Sequence, residues 1–219
     1  MIIDMHVHSE VSLDSTAKVE EYCQAIQRFR QYHPFHGFVL TEHRVLHRSE
    51  EYQRLAEQYD VLILQGVEVD ANLGHLLLYG VTDEFLAHVD ISHRCLDDRE
   101  VIRIIRDCGG IAIPAHPFRE SVYGKALEQK LEVVEEVTVI EALNGANSPL
   151  QNEKAQALLT QHGLKGTGGS DAHYVNRHWF LNCATEFFQP ITSMEDLVSA
   201  LYQGNFRPLV LDTPPWEEL

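Results

Sequence analysis

A short apolar run followed by an amphipathic stretch recurs along the chain, and this alternation limits the possible folds more than any other feature. The first apolar run covers residues 2–7, and a helical pattern follows over residues 18–32. About seven such units are present, which is typical of parallel strands joined by crossover helices. The sequence therefore predicts an α/β fold with a parallel sheet, either closed into a barrel or open and doubly wound.

Local signals set the boundaries of the other predicted elements. Further strands are predicted over residues 37–41, 61–69, 75–81, 111–115, 137–143, 165–169 and 184–188. Further helices are predicted over residues 49–59, 97–109, 121–130 and 148–163, with a last helix after Thr192. Asp97, Ser148 and Thr192 each precede a Glu or Gln by three residues, which is the pattern of a helix-capping box. No glycine-rich phosphate loop follows the first strand, and this argues against a dinucleotide-binding fold.

Length and charge restrict the domain organisation and the partners. A chain of 219 residues favours a single domain, here residues 1–219. The 33 acidic residues outnumber the 17 Lys and Arg residues, so the formal net charge is -16. A surface this acidic repels nucleic-acid backbones and anionic membranes, so we expect a small-molecule partner rather than a membrane or long nucleic acid. The sequence leaves the oligomeric state open.

Cysteine spacing and hydropathy favour a cytoplasmic protein. The four cysteines, Cys23, Cys95, Cys108 and Cys183, form no CxxC pair. We therefore expect reduced thiols rather than disulfides or zinc ligands. No apolar run reaches the roughly 18 residues of a membrane span, and the acid and histidine near the start do not resemble a signal peptide.

Histidine and carboxylate residues concentrate where the predicted strands end. The chain has 13 histidines, and the candidate ligands at or near strand ends are His6, His8, Asp14, His43, Glu68, His75, His116, Asp171 and His173. Residues two apart on a strand share a face, so His6 and His8 point the same way and Asp4 shares that face. Because the carboxyl ends of parallel strands meet at one edge of a sheet, we expect these side chains to converge.

Imidazole and carboxylate groups are ligands for zinc, iron or manganese, and the lack of thiolates favours a catalytic over a structural metal site. The set of ligands exceeds the needs of one ion, so two or three divalent ions are predicted, with Glu68 able to bridge two of them. A pair of ions about 4 Å apart generates hydroxide near neutral pH and binds both oxygens of an in-line displacement. Each motif taken singly also fits a structural role. The remaining histidines are interpreted as surface or core residues.

The ordered motifs resemble those of the polymerase and histidinol phosphatase (PHP) family. They are His6-Val-His8-Ser with Asp14, Thr-Glu42-His43, Gly-Val-Glu68, Gly-His75, Ala-His116-Pro and Gly-Ser-Asp171-Ala-His173. The resemblance extends from residue 4 to about residue 178, and the segment 191–208 also resembles the family. Glu42 stands where the family usually has Asp, and Asp14 lacks the usual Ser and Gly neighbours. No long insertion separates His116 from Asp171.

The resemblance implies a distorted (β/α)7 barrel with a metal cluster at the strand ends. His6, His8, Glu68 and Asp171 would bind the first ion. Glu68, His75 and His116 would bind the second ion, and Asp14, His43 and His173 the third. Arg119 would be a phosphate-binding residue, and Arg44 and Arg177 are weaker candidates for the same contact.

These observations predict a metal-dependent phosphoesterase that acts on a small phosphomonoester. A hydroxide between two ions would attack phosphorus, with Glu68 and Asp171 holding the ions and Arg119 orienting the phosphoryl group. Asp4 is predicted to orient a metal-bound imidazole. The alternatives are histidinol-phosphate hydrolysis, cleavage of short oligonucleotides, amide or lactone hydrolysis, and a non-catalytic metal-binding regulatory domain.

Overall fold

A computed structural model describes residues 1–72, 74–119, 136–175 and 180–212 of the chain. The strands are β1 (Ile2–Val7), β2 (Gly37–His43), β3 (Leu62–Ala71), β4 (Gly74–Tyr79), β5 (Ile111–Pro114), β6 (Val139–Asn144), β7 (Lys165–Gly169), β8 (Cys183–Phe187) and β9 (Phe206–Val210). The helices are α1 (Val19–Phe29), α2 (Glu50–Tyr59), α3 (Asp83–His88), α4 (Asp98–Asp107), α5 (Pro149–His162) and α6 (Met194–Gln203). The helix predicted over residues 121–130 lies outside the described residues.

Seven of these strands form one mixed sheet in the order β5-β4-β3-β2-β1-β8-β9. Strands β1, β2 and β3 are parallel, whereas β4, β5, β8 and β9 join by antiparallel pairing. The predicted parallel pairing therefore holds for β1–β2–β3 but is wrong for the other strands of this sheet. Only residues 72–73 separate β3 from β4, and a connection this short allows an antiparallel hairpin but no crossover helix.

The sheet curls so that a parallel β6–β7 pair lies between β5 and the end of β1. The start of β1 pairs with β8, but its end bonds to the segment after β7 instead. There the Asp171 N–H donates to the His6 carbonyl at 2.7 Å, and the His8 N–H donates to the Ala172 carbonyl at 2.9 Å. The fold is thus mixed α/β with a curled sheet, and the ends of β1, β2, β3, β5 and β7 come together.

Apolar side chains from the sheet and from the covering helices form the core. Val101 and Ile105 of α4 pack with Leu78 of β4, and Phe29 of α1 packs with Phe38 of β2. Burying one side chain of this size stabilises the fold by about 1.5–3 kcal/mol. Within the described residues, no helix combines the length and the apolar composition needed to cross a bilayer.

Helix caps agree with the sequence except at the last helix. Ser148 forms the predicted capping box with Gln151, and α5 ends at Gly163, where φ is 65°. The cap of α6 is Ser193 rather than Thr192, because the Ser193 side chain accepts the Asp196 N–H. Thr192 instead donates its hydroxyl to the Asp196 carboxylate at 2.7 Å.

Candidate metal centre

The structure brings all nine predicted ligand residues into one cluster at the strand ends. We divide the cluster into three sets of side chains. The inner set is His6, His8, Glu68 and Asp171; the second set is Glu68, His75 and His116; the outer set is Asp14, His43 and His173.

The inner set has the spacing of a tetrahedral site. His6 Nε2 lies 3.0 Å from His8 Nε2, and each of these nitrogens lies 3.4 Å from Asp171 Oδ1. Glu68 Oε2 lies 3.4 Å from His6 Nε2 and 3.2 Å from His8 Nε2. A tetrahedral ion with ligands at about 2.0–2.2 Å holds those ligands roughly 3.3–3.6 Å apart. Three of the five distances fall in this range and the other two are 0.1–0.3 Å shorter, so the four atoms come close to the dimensions of a zinc-sized site.

Hydrogen bonds on the far side of the two rings place a hydrogen on each Nδ1, so the second proton of a charged ring is the one on Nε2, which an ion would displace. The His6 Nδ1–H donates to Glu141 Oε1 at 2.9 Å. The His8 Nδ1–H donates to the Ser12 hydroxyl at 3.3 Å, and that hydroxyl in turn donates to Glu42 Oε2. A neutral imidazole carries one N–H, so once the Nε2 proton has been displaced, Nε2 of each ring presents a lone pair toward the carboxylates.

Glu68 belongs to two sets because its two oxygens point in different directions. While Oε2 faces the inner set, Oε1 lies 2.8 Å from His75 Nδ1 and 3.1 Å from His116 Nε2. His116 and Asp171 have positive φ angles of 27° and 56°. Such backbone strain in residues other than glycine is concentrated at functional sites, where the surrounding structure holds it.

The outer set is more exposed and richer in imidazole. Asp14 is 60% exposed at its side chain, and its Oδ2 lies 3.3 Å from His43 Nε2 and 3.6 Å from His173 Nε2. The structure adds His8 to this group, because its ring stacks on those of His43 and His173 at centroid distances of 4.3 and 4.2 Å.

Charge and burial shift the pKa values of the two sets in opposite directions. Burial lowers the pKa of the His6 and His8 imidazoles, but the neighbouring carboxylates outweigh it, raising the pKa of His6 well above its usual value and that of His8 to about 9. Burial, with the nearby His8 and His173, lowers the pKa of His43 to about 4 against the opposing carboxylates. Despite their burial, Glu68 and Asp171 have pKa values well below the ordinary range because imidazoles surround them.

Three buried polar atoms of the cluster lack a hydrogen-bond partner among the described residues. These atoms are Glu68 Oε2, His43 Nδ1 and His75 Nε2. An unpaired buried polar atom costs about 1–3 kcal/mol, so protein interiors rarely keep several together. A cation close to Glu68 Oε2 and His43 Nδ1, which lie 3.1 Å apart, would remove the penalty for those two atoms, so the donor set fits a divalent metal ion. His75 Nε2 instead lies 3.6 Å from Asp70 Oδ1.

The sequence comparisons agree with this geometry. A family model described as the PHP domain matches residues 4–162, and one described as PHP-associated matches residues 149–206. The chain belongs to the PHP domain family. No curated protein matches the sequence.

Solved structures share the PHP fold at low sequence identity. PsfC from Pseudomonas syringae PB-5123 has a TM-score of 0.69 and 18% identity, covering 96% of this chain and 91% of that one. A proposed metal-dependent phosphoesterase from Bifidobacterium adolescentis has a TM-score of 0.60 and 17% identity, covering 92% and 96%. Endonuclease Q, solved with a 27-mer duplex that has an abasic lesion at the active site, has a TM-score of 0.65 and 16% identity, covering 97% of this chain and 60% of that one.

Two of the three arginines predicted to contact phosphate have described positions in this PHP domain. Arg119 lies beside the inner set and donates to Asp171 Oδ2 at 2.5 Å, with further bonds to two asparagine side chains. Arg44 donates to Asp70 Oδ2 at 2.9 Å. Arg177 lies outside the described residues.

Asp4 does not orient an imidazole, contrary to prediction. Its Oδ1 accepts the backbone N–H groups of His6 and Ser170 at 3.1 and 2.8 Å, so this oxygen bonds backbone rather than a ring nitrogen. Burial raises the pKa of Asp4 to about 7. Glu141 bonds the His6 ring instead. The sequence offers one signal for Glu141, because it is the single acid inside the apolar run of β6.

Glu42, the departure from the family motif, holds the loop between β1 and α1. Its carboxylate accepts the Ser9 hydroxyl at 2.5 Å and the Ser12 hydroxyl at 2.6 Å. The Ser12 hydroxyl oxygen also accepts the His43 N–H at 3.1 Å. Glu42 therefore supports His8 and His43 from behind and is not a member of any ligand set.

Proposed function

We propose that this chain is a metal-dependent phosphoesterase that hydrolyses a small phosphomonoester, with two or three divalent ions (zinc, manganese or iron) in the three ligand sets. The observation that carries the proposal is the position of Glu68, whose two oxygens face different sets of ligands. A buried carboxylate placed in this way is suited to hold two ions at the short separation used for phosphoester hydrolysis.

Metal ions bound here would supply a nucleophilic hydroxide near neutral pH and neutralise charge on the phosphoryl oxygens. The protein's part is to fix the ligands and the substrate. We propose that Glu68 and Asp171 hold the ions and that Arg119, already fixed against Asp171, directs its remaining N–H groups to a phosphoryl oxygen. Similar fixed positive charges contribute most of the catalysis in phosphoryl transfer.

Net charge and family neighbours support a small phosphomonoester as the substrate class. The net charge of -16 disfavours long polyanions, whereas the cation cluster would attract a small anion locally. The Bifidobacterium adolescentis neighbour, a proposed metal-dependent phosphoesterase, aligns over nearly its whole length. Histidinol phosphate remains one member of this substrate class.

We further propose that residues 1–219 are a single catalytic domain and that β6 and β7 complete a distorted (β/α)7 barrel. The contact between the end of β1 and the segment after β7 supports closure on that side. The four unpaired cysteines support a cytoplasmic location.

Nuclease activity on short oligonucleotides is the second candidate. It is favoured by the TM-score of 0.65 with Endonuclease Q, although this chain covers only 60% of that protein. Amide hydrolysis is a weaker candidate, supported by a TM-score of 0.58 with an amidohydrolase from Chromobacterium violaceum.

A phosphate-release screen tests the proposal. Sugar phosphates, nucleotides, histidinol phosphate and short oligonucleotides are assayed with manganese, zinc and iron, using wild type, Glu68→Ala and the exposed-site control Glu153→Ala. We expect phosphate release from a monoester by wild type and the control but not by Glu68→Ala. Cleavage of oligonucleotides alone would support the nuclease. Ion binding without any hydrolysis would support the regulatory domain.

A further inference from the structure

Strand β6 contributes no member to the three ligand sets, yet it places two buried polar side chains directly behind them. Glu141 is 1% exposed and Asn144 is fully buried. Buried polar groups in the middle of an apolar strand are costly unless several partners satisfy them. We call this pair the β6 brace.

Glu141 contacts residues of two different sets. Its Oε1 accepts the His6 Nδ1–H at 2.9 Å, while its Oε2 accepts the His116 backbone N–H at 2.7 Å and the Asn144 side-chain N–H at 2.9 Å. The first bond fixes which nitrogen of His6 carries the proton. The second holds the residue whose φ is 27°, so one carboxylate orients an imidazole of the inner set and the backbone of the second set.

Asn144 extends the brace to Asp171. Its Nδ2 lies 3.4 Å from Asp171 Oδ2, and its Oδ1 accepts a hydrogen bond from Arg119 Nη2 at 2.6 Å. Arg119 donates to the same Asp171 oxygen, so this oxygen is turned toward Arg119 and Asn144. The other oxygen, Oδ1, is left facing the nitrogens of His6 and His8.

We infer that Glu141 and Asn144 are positioning residues, which set the metal affinity of the centre by orienting His6, His116 and Asp171 without themselves binding an ion. The inference rests on the proposed metal centre. Carboxylates bonded to the outer nitrogen of a metal-binding imidazole typically change metal affinity 10- to 100-fold. Glu141 differs from a simple carboxylate–imidazole pair because its other oxygen bonds the backbone of His116, a member of the second set.

A carboxylate is required at residue 141 because all three of its partners are donors. Glutamine has nearly the same shape but offers only one acceptor oxygen. Its amide group would place N–H against the His116 N–H or the His6 Nδ1–H. Glu141→Gln therefore keeps the volume of the core and breaks the bonding pattern of the brace.

The test compares cobalt affinity in wild type, Glu141→Gln and Glu186→Gln. Glu186 is the matched control, since it is an ion-paired acid of β8 that bonds Arg207 at 2.6 Å. Dissociation constants come from competition with a chelator, and the visible absorption of bound cobalt reports ligand geometry. We expect roughly 10- to 100-fold weaker binding and an altered spectrum for Glu141→Gln, and wild-type values for the control. A change confined to the thermal stability of metal-free protein would overturn the inference by showing a purely structural role.

A second measurement needs no variant. Long-range proton–nitrogen correlation spectra of the zinc-loaded wild type report which nitrogen of His6 carries hydrogen. The inference requires hydrogen on Nδ1; hydrogen on Nε2 would overturn it even if Glu141→Gln failed to fold. If wild-type protein bound neither cobalt nor zinc, the proposed metal-dependent function itself would be wrong. That result differs from one in which the ions bind but Glu141 does not position His6.

Discussion

The inner and outer sets of the candidate metal centre lie side by side but are built differently. The inner set joins two imidazoles to two carboxylates, all four nearly inaccessible to solvent. The outer set joins two imidazoles to the single carboxylate of Asp14, whose side chain is 60% exposed. The imidazole pKa values diverge accordingly: that of His8 rises to about 9, whereas that of His43 falls to about 4.

This difference indicates how a shared pocket can bind ions with unequal strength. Carboxylates in a buried environment attract a cation strongly because water screens them little. An exposed carboxylate is hydrated and mobile, so holding it in place costs more of the binding free energy. We therefore expect the inner set to bind its ion tightly and the outer set to exchange its ion with solvent.

The largest effect that would test this comparison comes from removing one carboxylate from each set. Glu68→Ala should lower kcat/KM about 10³-fold, because it removes the group shared by two sets. Asp14→Ala should lower kcat/KM by only about tenfold, because the inner set stays complete. Steady-state phosphate release, with elemental analysis of both proteins, measures the difference. Equal losses of kcat/KM in the two variants would show that the inner and outer sets function as a single catalytic unit.

Metal removal should have the next largest effect. An ion at 100 times its dissociation constant stabilises the fold by about 2.7 kcal/mol, which corresponds to a rise in Tm of roughly 5–11 °C for a chain of this size. We expect this rise in wild type and in Asp14→Ala but not in Glu68→Ala, measured by calorimetry with and without chelator. A rise in Tm that is lost in Asp14→Ala but kept in Glu68→Ala would show that the outer set binds its ion more tightly than the inner set.

The pH dependence of ion binding should separate the sets further. The raised pKa of His8 means that metal-free protein carries a proton there at pH 7, and an ion must displace it. The pKa of His6 is raised as well, so affinity of the inner set should fall at least about tenfold for each pH unit below 9. Because the lowered pKa of His43 leaves that ring neutral above pH 5, affinity of the outer set should change little between pH 6.5 and 8. Titration calorimetry in buffers of different ionisation enthalpy counts the protons released.

The smallest effect is expected from Ser12→Ala. Its hydroxyl donates to Glu42 and accepts from the His8 ring and the His43 N–H, so alanine leaves buried polar groups unpaired. The free energy of unfolding should drop by about 1–3 kcal/mol, as measured by urea denaturation. Leu13→Ala is the control, since Leu13 is fully exposed one residue away. An equal drop in both variants would contradict the role of Ser12.

The sequence was sufficient to predict which side chains the structure brings together, but not the pairing of the sheet. His6, His8 and Asp171 were predictable because their type and their position at strand ends are both local properties. The antiparallel direction of β4 follows from the short connection after β3. The predicted strands 61–69 and 75–81 already had no helix between them, but they were still assigned to the parallel sheet. Glu141 was missed because its role depends on pairing with His6, 135 residues away. The role of Asp4 was predicted wrongly because strand periodicity gives a side chain's face but not its bonding partner.

Anomalous diffraction from a zinc-soaked crystal would test the central claim most directly. The account predicts its strongest peak about 2.0–2.2 Å from the Nε2 atoms of His6 and His8, with Glu68 and Asp171 completing the coordination. A weaker peak is expected among the outer set. A crystal with no peak among His6, His8, Glu68 and Asp171, or with its only peak elsewhere on the protein, would contradict the account.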